Sequence, residues 1–309
     1  MTIGTPVRPA VEPTPLRPVP SDRDGSRVLA GLSHAALAIW TLLIVIPLLW
    51  TFLASFKTTQ EIFGNAWSLP ARPRFDNWVR AFETARVGRY LLNSVLVVGV
   101  STVGTMLLGS MAAYVLARYP FRGNRAIYFL FVSGMLFPVH LALTPLFFVV
   151  RDLGQLPVVG PFIGLDSYGG LILVYIAHSL PFTVFFMAAF FRTLPTAVAE
   201  AAMIDGCSHT RLFFQVMLPM ARPGLVSIAI INVISQWNQY LLPLMLLSGD
   251  ARDKWVLTQG IADISTAAGY DADWPALFAA LTMAILPMIL FYVVLQRQIQ
   301  AGLTAGALR

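Results

Sequence analysis

Six long stretches of this chain carry no Asp, Glu, Lys or Arg: Leu29–Leu53, Leu91–Ala117, Ala126–Val150, Gly169–Phe191, Gly224–Leu247 and Pro275–Gln296. Each runs for 22 to 27 residues, and a helix of about 20 apolar residues covers the hydrocarbon core of a bilayer. Backbone amides in lipid have no water to bond, so each crossing segment must close its hydrogen bonds internally. The spacing predicts an all-α polytopic membrane protein with six transmembrane helices. Composition agrees, with 57% hydrophobic and 12% charged residues, against about 45–50% and about 25% in soluble domains. That excludes a disordered chain and argues against a soluble enzyme.

The net charge of +6 comes from 19 Arg and 2 Lys against 15 acids. These cations flank the spans and form no stripe with interleaved aromatics, so they read as a topology signal and not as a nucleic-acid surface. Six spans put both termini on one side. With that side cytoplasmic, 12 of the Lys and Arg lie inside and 9 outside, and the compact Arg118–Arg125 turn carries the bias best. Residues 1–28, rich in Pro, Arg and Ser/Thr, are expected to be a disordered cytoplasmic tail. The first span is about 25 residues, longer than the 7–15 of a signal-peptide core, and reads as an uncleaved anchor. The membrane body is then 29–296, with a long cytoplasmic loop at 192–223 and a cytoplasmic tail at 297–309. On the outer side Phe75, Trp78, Val79 and Phe82 recur at helical spacing, with Asp76 or Asn77 placed to cap a short surface helix. Tyr270–Trp274 reads as an interfacial boundary before the last span. Prolines 138, 145, 181, 243 and 287 fall within spans and are expected to kink or break them.

The chain has no phosphate-cradling G-x-x-x-x-G-K-[ST] sequence, since its two lysines follow Phe56 and Asp253. No H-E-x-x-H or G-x-S-x-G occurs, and no catalytic or metal-ligating residue is expected. Three of the four histidines, His34, His140 and His178, sit inside the spans and read as helix–helix hydrogen-bond partners more readily than as a proton relay. The lone Cys207 makes no internal disulfide and reads as a bystander thiol. If such a protein pumps, a partner supplies the energy.

The loop Arg192–Gly224 is the most informative segment. Pro195 suits the first turn of a helix, and Ala197 through Met203 are mostly strong helix formers. Gly206 fits the left-handed position that ends a helix, and Ser208 is placed to cap a second one running through Leu212, Phe213, Val216 and Met217 and stopping before Pro219. The expected product is a helix–Gly–helix elbow whose apolar face, Leu212, Phe213 and Val216, is a docking surface for another protein. In the fifth span Asn232, Gln236 and Gln239 share one face, beside Trp237 and Asn238. Two readings stay open there: a polar translocation path, or hydrogen bonds between helices. Trp237 suits stacking on the ring of a transported solute, or packing on lipid or a partner.

Glu200-Ala-Ala-Met-Ile-Asp-Gly206 followed by Val216-Met-Leu-Pro219 resembles the EAA motif of ABC-importer permeases. Further stretches resemble the carbohydrate branch, the maltose-type second permease subunit: Asn93-Ser94, Ala112–Arg118 with Phe121-Arg-Gly123, Trp237–Pro243, and Gln296–Ala307. The likeness runs from about residue 30 to 309. Gln239 departs from it, standing where the branch often has an acid.

The resemblance implies a type I ABC importer permease fold in a bacterial inner membrane, translocating a sugar or oligosaccharide by ATP-driven alternating access. It implies a second homologous permease, an ABC ATPase dimer that binds the ATP and Mg, an extracytoplasmic sugar-binding protein, and no cofactor in this chain. It also implies that Glu200, Ala201, Ala202, Asp205, Gly206, Leu212, Phe213 and Pro219 belong to a coupling helix seated in the ATPase. Gly302, Leu303, Thr304 and Gly306 would reach the ATPase dimer interface. The alternatives are the same architecture importing another solute, such as glycerol phosphate, or a stand-alone channel or membrane scaffold.

Overall fold

The computed structural model describes residues 23–249, 252–271 and 273–307, with backbone alone at 23–28, 268, 270–271 and 299–307. Among the described residues every regular element is helical. The chain forms two contact units, Met1–Leu49 and Trp50–Arg309. The first holds most of helix α1 (Arg23–Ala54), whose apolar side chains are exposed from Leu29 to Leu49. A helix that is apolar on every side needs lipid or another apolar chain around it. It begins at Arg23, inside the stretch expected to be disordered; residues 1–22 lie outside the described residues.

The second unit is built on α4 (Val87–Arg118) and α8 (Tyr168–Thr193), the most extensively packed pair. Small residues let them approach: a Cβ at Gly109 would sit 2.6 Å from Thr183 Cγ2, and one at Gly104 2.6 Å from Ile176 Cδ1. Close backbone approach at small residues is how helices associate where lipid removes the hydrophobic drive. Around this pair lie α5 (Asn124–Gly134), α6 (Val139–Leu153) and the short α7 (Gly160–Ile163). The elbow helices α9 (Thr196–Ile204) and α10 (His209–Met220) follow, then α11 (Arg222–Trp237) and α12 (Leu241–Leu246). The unit closes with α13 (Leu257–Asp271) and α14 (Trp274–Ala307).

Four helices are long and apolar enough to span a membrane singly, and six spans result when two bent pairs are each counted as one. The expectation of one helix per charge-free stretch therefore fails twice. The third stretch divides into α5 and α6, bent by 103°. Pro138 caps α6 in an extended conformation, brings no N–H to the ladder and holds the residue before it out of the α region. The fifth stretch ends its first helix at Trp237, and α12 starts only at Leu241. Pro243 has no N–H for the Gln239 carbonyl, which instead accepts the Thr258 hydroxyl at 2.7 Å. Pro47, Pro145, Pro181 and Pro287 stay inside continuous helices.

The loops sort to two ends. On one end, Arg80 pairs with Asp273 at 3.1 Å, Arg86 with Asp253 at 2.8 Å, and the Lys254 ammonium donates to the Asp166 carbonyl at 2.6 Å. These contacts join the first, third and fifth loops. Asn93, at the start of α4, donates to the carbonyls of Asp253 and Trp255 and accepts the Tyr168 hydroxyl, while Ser94 Oγ accepts the Leu257 N–H. The second and fourth loops meet at the other end, the elbow end, where the Tyr119 hydroxyl and His209 Nδ1 lie 2.9 Å apart.

The outer helix read from Phe75, Trp78, Val79 and Phe82 forms as α3 (Asp76–Val79) and runs on as a π-helical turn, Arg80–Thr84. No side chain caps it. Asn77 is buried instead, and its amide donates to the carbonyls of Ser55 and Lys57 at 2.8 and 3.0 Å. Phe75, Val79 and Phe82 are on the exposed side.

Candidate functional site

The elbow starts where α8 ends. Pro195 is the N-cap of α9, one position before the first turn that its sequence suggests, with an extended backbone and no N–H to leave orphaned. At the other end of α9 Gly206 has φ +81°, the left-handed region that side chains disfavour, and its N–H donates to the Met203 carbonyl at 3.1 Å. Ser208 then caps α10, accepting the Arg211 N–H at 3.4 Å. The turn is thus set by its own residues, as the sequence suggests.

The second elbow helix does not stop before Pro219. It passes through a π-helical turn, Leu212–Met217, in which the Leu218 N–H bonds five residues back to Phe213, and continues to Met220. The widened turn accommodates the proline ring and its missing donor, an arrangement in keeping with the use of single π turns inside α-helices. At Ala221 the chain bends by 77° into α11.

The inward face of the elbow is the reverse of the expected one. Leu212 is 1% exposed and Phe213 5% exposed. With Met217 they pack against Tyr114, Val184, Met187 and Phe191 in one buried cluster. The Phe213 ring lies 5.1 Å from Tyr114 and 6.4 Å from Phe191. Leu212 and Phe213 therefore anchor the elbow and offer no docking surface; Val216 is half-buried on the same cluster. The Arg118 guanidinium at the end of α4 adds a clamp, donating to the Leu194 carbonyl at 2.5 Å. Ala199, Ala202 and Cys207 turn toward the cluster.

What remains exposed is the other side of α9. Ala197, Glu200, Ala201 and Ile204 lie at i, i+3, i+4 and i+7, one helical face, and all are exposed. Ile204 at the tip is 86% exposed. Met203, Asp205 and Gly206 flank it, also exposed, and Pro219 is exposed on α10. A clamped helix presenting an apolar tip and one carboxylate to water has the anatomy of a protein contact.

The polar residues of the fifth span are engaged within the fold. Asn232 donates to Thr183 Oγ1 at 2.9 Å, and Gln236 donates to Ser179 Oγ at 3.0 Å while its Oε1 accepts from Ser101 at 2.8 Å and Thr102 at 3.3 Å. Both are buried and bond across helices. Trp237 is half-buried between two clusters, Asn238 bonds back to the Ile234 carbonyl, and Gln239 is half-buried beside Thr258. A cavity of about 250 Å³ lies next to this group, lined by His178, Ser179, Asn232 and Ser235 and by Met135 and Phe137 at the break between α5 and α6. Gly302, Leu303, Thr304 and Gly306 fall within α14 by backbone, and their side chains lie outside the described residues. Sequence reasoning gave Asn77 a capping role in place of its buried bonds to Ser55 and Lys57, and it missed Tyr114. Tyr114 had a signal, since it stands in the matched Ala112–Arg118 stretch.

Comparison with known proteins gives a consistent picture. The model of the family described as "binding-protein-dependent transport system inner membrane component" matches residues 105–304. The diacetylchitobiose uptake system permease protein NgcG of Streptomyces coelicolor is 47% identical over 92% of this chain and 90% of its own length. The trehalose transport system permease protein SugB of Mycobacterium tuberculosis is 33% identical over 86% of this chain and 92% of its own. A chain in the crystal structure of a bacterial ABC transporter that imports the acidic polysaccharide alginate superposes with a TM-score of 0.75 at 24% identity, covering 91% of this chain and 99% of that one.

Proposed function

This chain belongs to the family of binding-protein-dependent transport inner-membrane components, and from that membership we propose that it is the sugar-translocating permease subunit of an ABC importer. Relatives named for diacetylchitobiose, trehalose and arabinooligosaccharide transport support a small oligosaccharide as cargo, diacetylchitobiose being the first to test. An anionic solute is the alternative cargo: the spans of this chain bring no Lys or Arg to bind one, but a relative 31% identical is named for sulfoquinovosyl glycerol transport, and a partner permease can supply the cations.

The observation that carries the mechanism is the clamped elbow with its single free face. A second permease completes the translocation unit, and an ATPase dimer binds ATP and Mg beneath it. The free face of Ala197, Glu200, Ala201 and Ile204 seats in the ATPase, with Glu200 meeting a basic group there. Leu212, Phe213 and Met217 then transmit closure of the ATPase into α4 and α8 as a rigid-body movement. ATP shifts the unit toward one state only through its differential affinity for the two. A binding protein delivers sugar to the opposite end, where loops one, three and five are tied together; a relative of this fold is known in complex with a pentasaccharide-bound periplasmic protein.

The elbow end faces the cytoplasm. Its two loops hold six arginines (118, 122, 125, 192, 211 and 222) against two acids, Glu200 and Asp205. The loops of the other end hold nine cations against ten acids. An excess of arginine in short loops marks the inside.

The test is uptake of labelled diacetylchitobiose by cells lacking the chromosomal copy and carrying wild type, Ile204→Glu or Gly206→Pro. Proline is locked near φ −65° and cannot take the +81° of Gly206. The wild type is expected to restore uptake, and both variants to insert at wild-type level and import less than about a tenth as fast, a loss of about 1.4 kcal/mol in coupling or more. Wild-type uptake by both variants removes the elbow from coupling. No uptake of diacetylchitobiose, trehalose or arabino-oligosaccharide by the wild type removes the sugar.

A further inference from the structure

At the elbow end the turn from α4 to α5 and the end of α8 border a shallow, open hollow of about 680 Å³. Arg118, Arg125 and Arg192 line it, and no carboxylate does. The turn is shaped by its own residues: Gly123 takes φ +91°, and the Asn124 amide donates to the carbonyls of Tyr119 and Leu116 at 2.8 and 3.2 Å. Two of the guanidiniums are braced by aromatic faces instead of acids, Arg125 over Phe129 at 5.6 Å and Arg192 over Tyr128 at 5.0 Å. Arg118 spends one nitrogen on the Leu194 carbonyl, and its Nε is buried without a partner. The contrast with the opposite end is sharp, because all six ion pairs among the described residues lie there.

Three arginines around one hollow repel each other unless an anion joins them, and a phosphate can accept two parallel N–H bonds from a guanidinium fork such as that of Arg125 or Arg192, with Arg118 adding its charge. The place of the hollow narrows the source of that phosphate. Its wall runs straight into α5, where Ile127, Phe129 and Leu130 are exposed and apolar. The hollow therefore opens where hydrocarbon gives way to headgroups, and basic pockets between spans on the cytoplasmic side recognise acidic headgroups. We propose that Arg118, Arg125 and Arg192 bind the phosphate headgroup of an anionic phospholipid of the inner leaflet. The choice of leaflet rests on the orientation given above; the phosphate chemistry does not.

The experiment is native mass spectrometry of the intact importer in mild detergent, titrated with phosphatidylglycerol or phosphatidylcholine. It compares wild type with Arg125→Gln/Arg192→Gln and Arg125→Lys/Arg192→Lys, leaving Arg118 in place because it holds the Leu194 carbonyl. Wild type is expected to retain phosphatidylglycerol at least tenfold more tightly than phosphatidylcholine. The glutamine pair should lose that preference and the lysine pair keep part of it. Equal retention by wild type and the glutamine pair overturns the proposal. So does displacement of the lipid by inorganic phosphate at equal affinity, which would make this a site for free anions. Loss of the ATPase subunit from the glutamine pair with lipid retention unchanged would assign the arginines to the ATPase contact. Sugar uptake by the same variants separates the two readings, since a failed lipid site leaves wild-type import untouched.

Discussion

Gln236 joins three helices through one side chain. Its Oε1 takes hydroxyls from Ser101 and Thr102 on α4, and its Nε2 gives to Ser179 on α8. A hydrogen bond between membrane helices is worth about 0.6 kcal/mol on average, so Gln236→Leu is expected to destabilise by roughly 1–2 kcal/mol. Thermal unfolding in detergent should fall by several degrees, and Gln236→Glu should fall further because a buried carboxylate there has no cation. An unchanged midpoint for Gln236→Leu would mean the network is idle. The sequence marks Gln236 as a polar residue inside a span, yet it offers no means of naming partners 135 and 57 positions away. Glu61 is the opposite case, a contact legible in place. The Thr58 and Ala71 N–H groups bond its carboxylate at 2.8 and 3.1 Å and hold its pKa below the usual value, with Lys57 adding a smaller pull in the same direction. A depressed folded pKa gives stability that is full above the unfolded value, about 4.3, and lost as pH falls through the folded one. Hydrogen-exchange protection of α2 (Thr59–Gly64) should therefore decline below about pH 4 in wild type. Glu61→Gln should start lower at neutral pH and show no such decline.

On the scale of the element, α9 and α10 show where pattern reading stops. Pro195 and Gly206 act through their own backbone and Ser208 through a hydroxyl three residues from its partner, so the turn between the two helices is visible in a string of letters. The buried face of α10 is not. Leu212, Phe213, Phe214, Val216 and Met217 spread apolar side chains over most of the circumference and leave only Arg211 and Gln215 as a narrow polar strip, so periodicity does not separate Phe213 from Phe214. The π turn shifts the register further, turning Leu212, Phe213 and Met217 inward and Phe214 out. Anchor and contact are then separable by mutation. Phe213→Ala removes a ring packed between Tyr114 and Phe191 and is expected to cost about 3–5 kcal/mol, read as a lowered unfolding midpoint with reduced import. Ile204→Ala removes a side chain that is 86% exposed; its stability should stay within about 0.5 kcal/mol of wild type while ATPase co-purification falls. A stable Phe213→Ala together with an unstable Ile204→Ala would exchange the two roles.

For the whole molecule, counting charge-free stretches finds the spans but not their breaks, because neither break carries a charge: Met135–Pro138 between α5 and α6 is as apolar as the helices it joins, and Asn238–Tyr240 between α11 and α12 is polar but uncharged. Only proline marks the places, and Pro145, Pro181 and Pro287 show that proline alone does not decide. The folded chain adds a signal of orientation that the 12-to-9 count of cations gives weakly. Cations of the loop end are largely spent on neighbouring acids, whereas those of the elbow end form no ion pair among the described residues. Spent charge does little to hold a loop on one side of a membrane, and unspent arginine is expensive to move across it. The orientation can be measured directly because the chain has a single cysteine. In a Cys207→Ser background, Ile204→Cys places a thiol at the elbow tip and Trp67→Cys places one in the first loop, at positions 86% and 74% exposed in the native protein. A membrane-impermeant maleimide should label the Trp67→Cys protein in right-side-out spheroplasts and leave the Ile204→Cys protein unlabelled there. In inverted vesicles the pattern should reverse. Labelling of the Ile204→Cys protein from outside would put the elbow on the wrong side for any ATPase, and the coupling role, the inner-leaflet lipid and the direction of import would fall together.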